Sequence, residues 1–244
     1  MKTMKSIVER LKKHLSSPAG SNSDRASAND SAALRKWAQI SVTDHDIQSE
    51  DFKRHLGGGT AQWDLRGRFQ LFLLKQCGLA PHSRLLDVGC GPFRAGIHFV
   101  QYLEPGNYFG FDFNRDFIAT ARHLSEQPEF AVKRPEFAVV ENFELPPSLR
   151  PFDFAIAFSV LNHCHEHQRH QFFKMLDKAL RPGGVAVVSH AWWFSETYVS
   201  GCELTLTKKL SAADIDIRKW GWPEPEKERV FPIIELTRTR LGGR

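Results

Sequence analysis

The chain has 244 residues, enough for one α/β domain with an extension at one end, and its apolar and charged fractions are those of a globular protein. Its net charge of +5 does not indicate a nucleic-acid-binding face, because residues 1–15 carry most of that charge and the rest is nearly neutral. The four cysteines are scattered, which argues against a disulfide framework or a zinc ribbon and makes the cytoplasm the expected compartment. No apolar run reaches the length of a transmembrane helix.

Residues 1–33 are predicted to be a basic amphipathic arm followed by a flexible linker. Ile7, Leu11 and Leu15 recur every four residues among lysines, as they would on one face of a short helix. Residues 16–33 are almost all small and polar, so they bury too little apolar surface to order themselves. The thin apolar stripe favours a solvated or docking arm over weak peripheral contact with an anionic membrane, and both interpretations stay open.

Residues 34–82 are predicted to form a helical N-terminal cap. A helix is expected near residues 34–40, and a triple-glycine turn separates it from a second helix that includes Phe69 and Phe72 and stops at Gly78. Three polar or aromatic residues of this cap either close over a ligand as a lid or only complete the cap: Trp63, Arg66 and Gln70.

Residues 83–244 alternate between strand-like and helix-like segments. The apolar segments predicted as strands are 84–89, 107–113, 136–142, 152–161 and 185–194, and the segments predicted as helices are 96–103, 115–124 and 170–180. Continuous apolar strands separated by helices are typical of a parallel sheet covered on both faces. The pattern therefore predicts an α/β fold with a doubly wound, mostly parallel sheet and helices on both faces.

The segment LLDVGCGPFRAG, residues 85–96, is typical of a strand that ends in a glycine turn before a helix, here expected to begin near Phe93. Arg94 stands where a dinucleotide fingerprint has its third glycine, and Asp87 suits a cationic ligand better than a pyrophosphate. Asp112 ends the second strand 21 residues after Gly91, where an acid binds ribose hydroxyls. An adenosine-type ligand with positive charge fits both acids, which indicates S-adenosylmethionine.

Four segments together resemble the class I S-adenosylmethionine-dependent methyltransferases: LLDVGCGPFRAG, YFGFDFNRDFI, FDFAIAFSVLNH and LRPGGVAVVS. They cover roughly residues 83–190, and the preceding cap resembles a bacterial subgroup that we associate with glycan and small-molecule modification. The resemblance implies that a last strand, within residues 229–240, runs antiparallel to the sheet. It also implies a set of cofactor-binding residues: Asp87, Gly89, Gly91, Arg94, Asp112, Phe113, Glu141, Asn142 and Ser159.

The resemblance assigns these residues to parts of the cofactor. Asp112 would bind the ribose hydroxyls and Phe113 would flank the adenine, whose amine would meet Glu141 or Asn142. The two glycines and Asp87 would lie at the methionine part, and Ser159 would pass close to the sulfonium. Phe93 replaces the usual third glycine of the turn. Arg94 either pairs with the methionine carboxylate or braces the N-terminal segment.

The residues after the fourth strand bear on the acceptor. They read SVLNHC instead of the N/D-P-P-Y/F motif of enzymes that methylate base amines or glutamine amides, which argues against that chemistry and leaves hydroxyl, carboxyl, amine and thiol acceptors open. A hydroxyl needs a general base, and His163 is the first candidate, with His190 at the end of the fifth strand as the second. His163 and His167 are four apart and would share a helix face, with Glu166 and His170 nearby, which is also a spacing of metal ligands. We predict no metal because Glu166 is the only carboxylate of this segment.

The aromatic residues after the fifth strand, Trp192, Trp193 and Phe194, either wall an acceptor pocket or belong in alternation to the core. The sequence thus favours a methyltransferase that acts on a small-molecule or glycan hydroxyl. Two alternatives stay open: an RNA or protein methyltransferase, which the nearly neutral domain disfavours, and a non-catalytic module that binds S-adenosylmethionine.

Overall fold

The computed structural model describes residue 53, residues 60–149, residues 151–216, residue 220 and residues 230–239. The predicted arm and linker (1–33), the helix near 34–40 and the triple-glycine turn lie outside these residues. Their assignment, and the division of the chain at residues 33 and 82, stay predictions. No helix within the described ranges is both long enough and apolar enough to cross a membrane.

Within the described residues, seven strands form one sheet that is mostly parallel. They are β1 Leu85–Val88, β2 Tyr108–Asp112, β3 Glu136–Val139, β4 Phe152–Ala157, β5 Leu180–Val188, β6 Leu204–Leu210 and β7 Ile233–Arg238. Their order is β3-β2-β1-β4-β5-β7-β6, with β7 antiparallel to both β5 and β6. The predicted doubly wound sheet with an antiparallel last strand is confirmed. The chain reverses its direction of winding between β1 and β4, and open α/β sheets bind ligands at the carboxyl ends of the strands there.

Helices cover both faces of the sheet. They are α1 Thr60–Gln76, α2 Gly96–Tyr102, α3 Arg115–Ser125, α4 Pro128–Ala131 and α5 Glu166–Ala179, with short 3-10 turns at Leu161–His163 and Glu196–Val199. Strand β4 divides the core, because successive side chains of a strand point to opposite faces. Its residues Phe154 and Ile156 pack with α1 and α2, whereas Ala155 and Ala157 pack with α5.

Several element ends differ from the sequence-based expectation, and one strand was not predicted. Strands β3 and β4 end earlier than expected, at Val139 and Ala157, and β5 begins earlier, at Leu180. Helix α2 begins at Gly96 because Phe93 has a left-handed φ of 73°, which a right-handed helix does not tolerate. Strand β5 ends at Val188, before a left-handed φ of 57° at His190, so residues 190–194 form a turn instead of the end of a strand. Strand β6 was not predicted, although its LTLT sequence alternates as expected of a sheet with one solvated face.

Candidate functional site

Two buried acids lie side by side at the switch point of the sheet. Asp87 is the third residue of β1, and Asp112 is the last residue of β2, the neighbouring parallel strand. Both oxygens of the Asp112 carboxylate accept backbone N–H bonds, from Gly91 at 3.0 Å and from Asn114 at 2.9 Å. Asp112 therefore anchors the glycine turn of residues 89–91 to β2, and the turn and both acids form one structural unit.

The surroundings of these acids oppose their ionisation. Burial raises the pKa of Asp87 to about 7, although a hydrogen bond of 2.9 Å from the Tyr108 hydroxyl works in the opposite direction. Burial also raises the pKa of Asp112 to about 6, against the three backbone N–H groups that stabilise its charge. Arg94 lowers the pKa of Asp87 as the weakest of the contributions. A cationic ligand would offset the free-energy cost of ionising two carboxyl groups that are buried away from water.

A glycine within β2 makes room for the Tyr108 hydroxyl. A side-chain Cβ at Gly110 would lie 2.7 Å from that hydroxyl oxygen and 3.0 Å from Cys90 Sγ. Burial, followed by the charge of Asp87, raises the pKa of both the Tyr108 phenol and the Cys90 thiol well above their ordinary values. Both groups therefore stay neutral beneath the turn, where Tyr108 donates to the acid above it.

The turn itself leaves space on its outer side. A Cβ at Gly91 would meet no other atom of the described residues within 4 Å, whereas a Cβ at Gly89 would lie 2.5 Å from Val160 Cγ2. Gly89 and Gly91 both have left-handed φ values, 67° and 57°. Gly89 therefore permits close packing of the turn against the segment after β4, and Gly91 borders open space.

Left-handed backbone conformations recur along this edge of the sheet. Besides Phe93 after β1, they occur at non-glycine residues after β3, β4 and β5: Asn142, Phe143, Ser159 and His190. Such conformations cost a non-glycine residue free energy and cluster at ligand sites, where the fold fixes the direction of a side chain. Four strands are thus followed by non-glycine residues in the left-handed conformation, which is uncommon in ordinary loops.

Helix α1 closes one side of the turn. A Cβ at Gly67 would lie 2.7 Å from the Arg94 carbonyl oxygen and 2.5 Å from the His98 ring, so the helix backbone rests directly on the segment after the turn. The Arg94 guanidinium stands 5.6 Å from the centroid of the Trp63 ring. Trp63 is buried in this contact, which places a residue of the predicted lid against a predicted cofactor residue.

The remaining predicted cofactor residues lie in loops at the same edge. Phe113 follows Asp112 and is exposed, as are Glu141 and Asn142 after β3. The Ser159 N–H donates to Ser189 Oγ over 2.9 Å, which ties the ends of β4 and β5 together. All nine predicted cofactor residues are therefore on one edge of the sheet, although no contact chooses between Glu141 and Asn142.

The four histidines of residues 163–170 do not converge. His163 ends the 3-10 turn, and α5 begins only at Glu166, so the expectation that His163 and His167 share a helix face is wrong. The rings of His165 and His167 stack at 5.8 Å, and the His170 ring lies 4.8 Å from that of Tyr198. Within the part of the chain that the structure describes, no group of three His, Cys, Asp or Glu residues is arranged to hold a metal ion.

The two candidate bases have different surroundings. The Asn162 amide nitrogen lies 3.3 Å from His163 Nε2, and it donates to that nitrogen in the tautomer with the ring proton on Nδ1. His190 Nδ1 lies 2.7 Å from Ser189 Oγ, and burial, followed by the charges of His163, Arg66 and Arg94, lowers the pKa of His190 to about 3. A histidine with so low a pKa is a poor proton acceptor near neutral pH.

The aromatic segment after β5 divides between solvent and core. Trp192 is 57% exposed, and its ring meets that of His190 edge to face at 6.1 Å. Trp193 and Phe194 both pack on Phe173 of α5, because the segment is a turn and does not alternate like a strand. Trp192 is thus the one of these three aromatic residues that is available to a ligand.

The sequence did not point to Tyr108, Cys90 or Ser189 as parts of the site. A glycine in the middle of the apolar strand YFGFD was the available signal for Tyr108, since it marks a close approach of another group. Ser189 carried no signal, because it precedes His190 at a strand end whose geometry depends on the turn that follows.

A family model described as a methyltransferase domain matches residues 86–186. The matched region begins one residue before Asp87 and includes all the predicted cofactor residues. It runs through β1, β2, β3, β4 and most of β5. Residues 86–186 therefore form a class I methyltransferase domain, and the protein is an S-adenosylmethionine-dependent methyltransferase.

Solved structures share the fold at low sequence identity. A magnesium protoporphyrin IX methyltransferase from Synechocystis PCC 6803 with bound S-adenosylmethionine is 16% identical, with a TM-score of 0.57 over 91% of this chain and 100% of that one. StiE O-MT is 14% identical, with a TM-score of 0.53 over 74% and 75% of the two chains. The cyclase SpnF is 15% identical, with a TM-score of 0.54 over 71% and 80%. The fold is thus common to proteins of different chemistry, which leaves the acceptor to be inferred from the site.

Proposed function

We propose that this methyltransferase transfers the methyl group of S-adenosylmethionine to a hydroxyl of a small-molecule or glycan acceptor. The observation that carries the cofactor part is the pair of buried acids, Asp87 and Asp112, on either side of the glycine turn. Their raised pKa values mean that the free protein holds two carboxyls at an energetic cost, which a ligand with positive charge offsets.

The residues present fit this cofactor. Asp112 would accept hydrogen bonds from the ribose hydroxyls, and the open space beside Gly91 would receive the methionine part near Asp87. Phe113, exposed at the end of β2, would cover one face of the adenine, with Glu141 or Asn142 at its amine and Ser159 near the sulfonium. Arg94, close enough to lower the pKa of Asp87, would bind the methionine carboxylate. The bound cofactor would supply an electrophilic methyl group on a sulfonium.

His163 would take the proton of the acceptor hydroxyl. In the tautomer with the ring proton on Nδ1, Nε2 has a lone pair that accepts from the Asn162 amide, 3.3 Å away, and this is the tautomer that the proposed base would use. As the acceptor oxygen bonds to the methyl carbon, its proton would pass to Nε2 in place of the Asn162 contact. The remaining contribution of the protein is to hold donor and acceptor in line and to exclude water, in part through α1 above the turn.

The structural likeness to StiE O-MT is in keeping with an oxygen acceptor, and the likeness to the cyclase SpnF supports keeping an alternative other than methyl transfer for this fold. The near neutrality of the chain after residue 15 supports a small acceptor over RNA. We place the reaction in the cytoplasm, on the grounds of the four free cysteines, none of which is paired with another in the described residues.

The proposal is tested by calorimetric titration of S-adenosylmethionine and S-adenosylhomocysteine into the wild-type protein and an Asp112→Ala variant. We expect micromolar binding by the wild type and a loss of at least about tenfold in the variant. Transfer of labelled methyl groups to a panel of phenols and sugars then tests catalysis, with His163→Gln as the variant that removes the base. Cofactor binding without transfer to any member would favour the non-catalytic alternative, and transfer to RNA or protein would favour the other.

A further inference from the structure

The Tyr108 hydroxyl occupies a space that two glycines keep clear. A Cβ at Gly110 of β2 or at Gly96 of α2 would lie 2.7 Å from the hydroxyl oxygen, which is closer than side-chain carbons normally approach. The ring of Tyr108 packs against three phenylalanines: Phe93, Phe99 and Phe137. A phenylalanine at position 108 would make the same ring contacts, so packing alone does not require the hydroxyl.

This hydroxyl binds one oxygen of the Asp87 carboxylate. It donates to Asp87 Oδ2 at 2.9 Å, and both residues are buried, with Asp87 only 3% exposed. No side chain or backbone N–H of the described residues donates to the other oxygen, Oδ1. The strand neighbours of Asp87 are Gly110 on β2 and Ile156 on β4, and neither has a polar side chain. A nearly enclosed carboxylate thus has one oxygen held by the protein and one oxygen left for another donor.

Four polar residues surround the Asp87 carboxyl, and of these Tyr108 is the one that donates to it. Burial raises the pKa of Asp87, and the hydrogen bond from Tyr108 lowers it more than the charge of Arg94 does. The charge of Asp112 acts in the raising direction, and the Cys90 thiol stays neutral because burial raises its pKa. The hydroxyl therefore favours the ionised form of Asp87, because a donor stabilises the negative charge.

We propose that Tyr108 is a positioning residue for the cofactor, whose hydroxyl fixes Asp87 Oδ2 and so leaves Oδ1 of the ionised carboxylate for the ammonium group of the methionine part. This inference rests on the proposed function. A charge-assisted hydrogen bond depends on direction as well as on charge. A carboxylate that is held at one oxygen is pre-organised to accept at the other. Tyr108 lies beneath the turn and acts only through Asp87.

The first test is Tyr108→Phe, which removes the hydroxyl and keeps the ring. Binding of S-adenosylhomocysteine is measured by calorimetry at pH 5.5 and 7.5, and chemical denaturation shows whether the variant is folded. Loss of the hydrogen bond should weaken the ionisation of Asp87 about tenfold. With a wild-type pKa of about 7, the variant should bind at least about threefold more weakly than the wild type at pH 7.5 and about tenfold more weakly at pH 5.5. Titration of the ligand's own amino group cancels in this ratio.

Three controls separate positioning from a merely structural role. Tyr102→Phe is the matched variant, because the Tyr102 hydroxyl donates to the Leu79 carbonyl at 3.0 Å instead of to an acid, and it should leave both affinities unchanged. In an Asp87→Asn background, Tyr108→Phe should cause a loss that does not change with pH. The nucleoside 5′-methylthioadenosine has no amino-acid part, so the wild type and Tyr108→Phe should bind it alike at both pH values.

The wild-type protein provides a second measurement that needs no variant. The buried hydroxyl proton of Tyr108 should give a proton NMR signal that is protected from exchange with water. This signal should shift as Asp87 titrates near pH 7, and shift again when S-adenosylhomocysteine binds. A signal that responds to neither change would overturn the proposal.

The outcomes also distinguish this inference from the proposed function. If the wild type binds S-adenosylhomocysteine but the loss in Tyr108→Phe does not grow as the pH falls, the positioning role is wrong and the cofactor site stands. The same holds if 5′-methylthioadenosine shares the loss, because Tyr108 would then only support the fold. Failure of the wild type to bind S-adenosylhomocysteine would overturn the proposed function, and the positioning role with it. A pH-dependent loss confined to S-adenosylhomocysteine supports both.

Discussion

Cofactor affinity should fall steeply as the pH is lowered from 7.5 to 5.5. The free protein holds Asp87 with a pKa of about 7 and Asp112 with a pKa of about 6, and both must be ionised to receive a cationic ligand. If the bound state keeps both carboxyls ionised, the coupling of proton binding to cofactor binding lowers the affinity ~25-fold through Asp87 and ~4-fold through Asp112 over this pH range. The whole change is therefore ~100-fold, or close to 3 kcal/mol of binding free energy by the same linkage.

The assay is calorimetric titration of S-adenosylmethionine at several pH values, each in two buffers of different ionisation enthalpy. Near pH 6.5 the two acids together should release about one proton per cofactor bound. The range stops at 7.5 because an α-amino group, such as that of the cofactor, loses its proton above it. Asp87→Asn is the matched control, because its amide still accepts from Tyr108 but cannot titrate. Its affinity should be weaker and should change only ~4-fold, from Asp112 alone.

Other titratable groups near Asp87 could alter the predicted pH dependence of cofactor affinity if they changed charge in the same range. Tyr108 and Cys90 have raised pKa values and stay neutral throughout the range, and Arg94 stays charged. Asp112 is included in the calculation. A wild-type affinity that varies less than about twofold between pH 7.5 and 5.5, with no proton release, would refute the reasoning. The acids would then either titrate outside this range or lie away from the cofactor.

Three stability predictions follow from the same residues. The Asp87 carboxyl has a pKa of about 7 in the folded protein and 3.8 in the unfolded chain. Its contribution to the free energy of unfolding is therefore fully present below pH 3.8 and is lost as the pH rises through 7. Asp87→Asn should therefore raise the free energy of unfolding at pH 8 by up to roughly 4 kcal/mol and give no gain near pH 3.5, as chemical denaturation would show. Gly89→Ala should lower the free energy of unfolding by ~1–2 kcal/mol because of its left-handed backbone, and further because the new Cβ clashes with Val160. A second change, Val160→Ala, removes only the clash and should therefore restore only part of the lost melting temperature. Asn114→Ala should cost about 1 kcal/mol, because Asn114 Oδ1 accepts from two backbone N–H groups at the start of α3, and Asn114→Asp should not. Wild-type stability of the alanine variants would contradict the last two.

The part of the site that is predicted to bind the cofactor could be placed from the sequence because it is local. Asp87, the glycine turn and Asp112 belong to one strand–helix–strand unit, and parallel strands end at the same edge. Spacing along the chain therefore translates into proximity. The Gly91 N–H, 21 residues before Asp112, donates to the Asp112 carboxylate, a contact that the sequence did not predict, and the binding of the cofactor by these residues stays a prediction.

The positions of element ends were less predictable, for a physical reason. Phe93 and His190 have left-handed φ values that their residue types do not favour, and each ends or delays an element that periodicity would continue. Strand β6 was missed because its second half, TKKL, is polar and exposed at the edge of the sheet. Tertiary packing decides all three, and no local pattern contains that information.

The part of the site that would bind the acceptor could not be placed from the sequence, because the residues around it come from distant parts of the chain. His163 lies in the turn after β4 and His190 in the turn after β5, and Phe158 packs both on Phe69 of α1 and on the His190 ring. The sequence named both histidines as alternative bases, and the structure gives them different neighbours. The Asn162 amide nitrogen lies 3.3 Å from His163 Nε2, whereas the buried Ser189 Oγ lies 2.7 Å from His190 Nδ1, and burial lowers the pKa of His190 to about 3. Residue type alone therefore does not distinguish the two histidines as proton acceptors, because their surroundings do so.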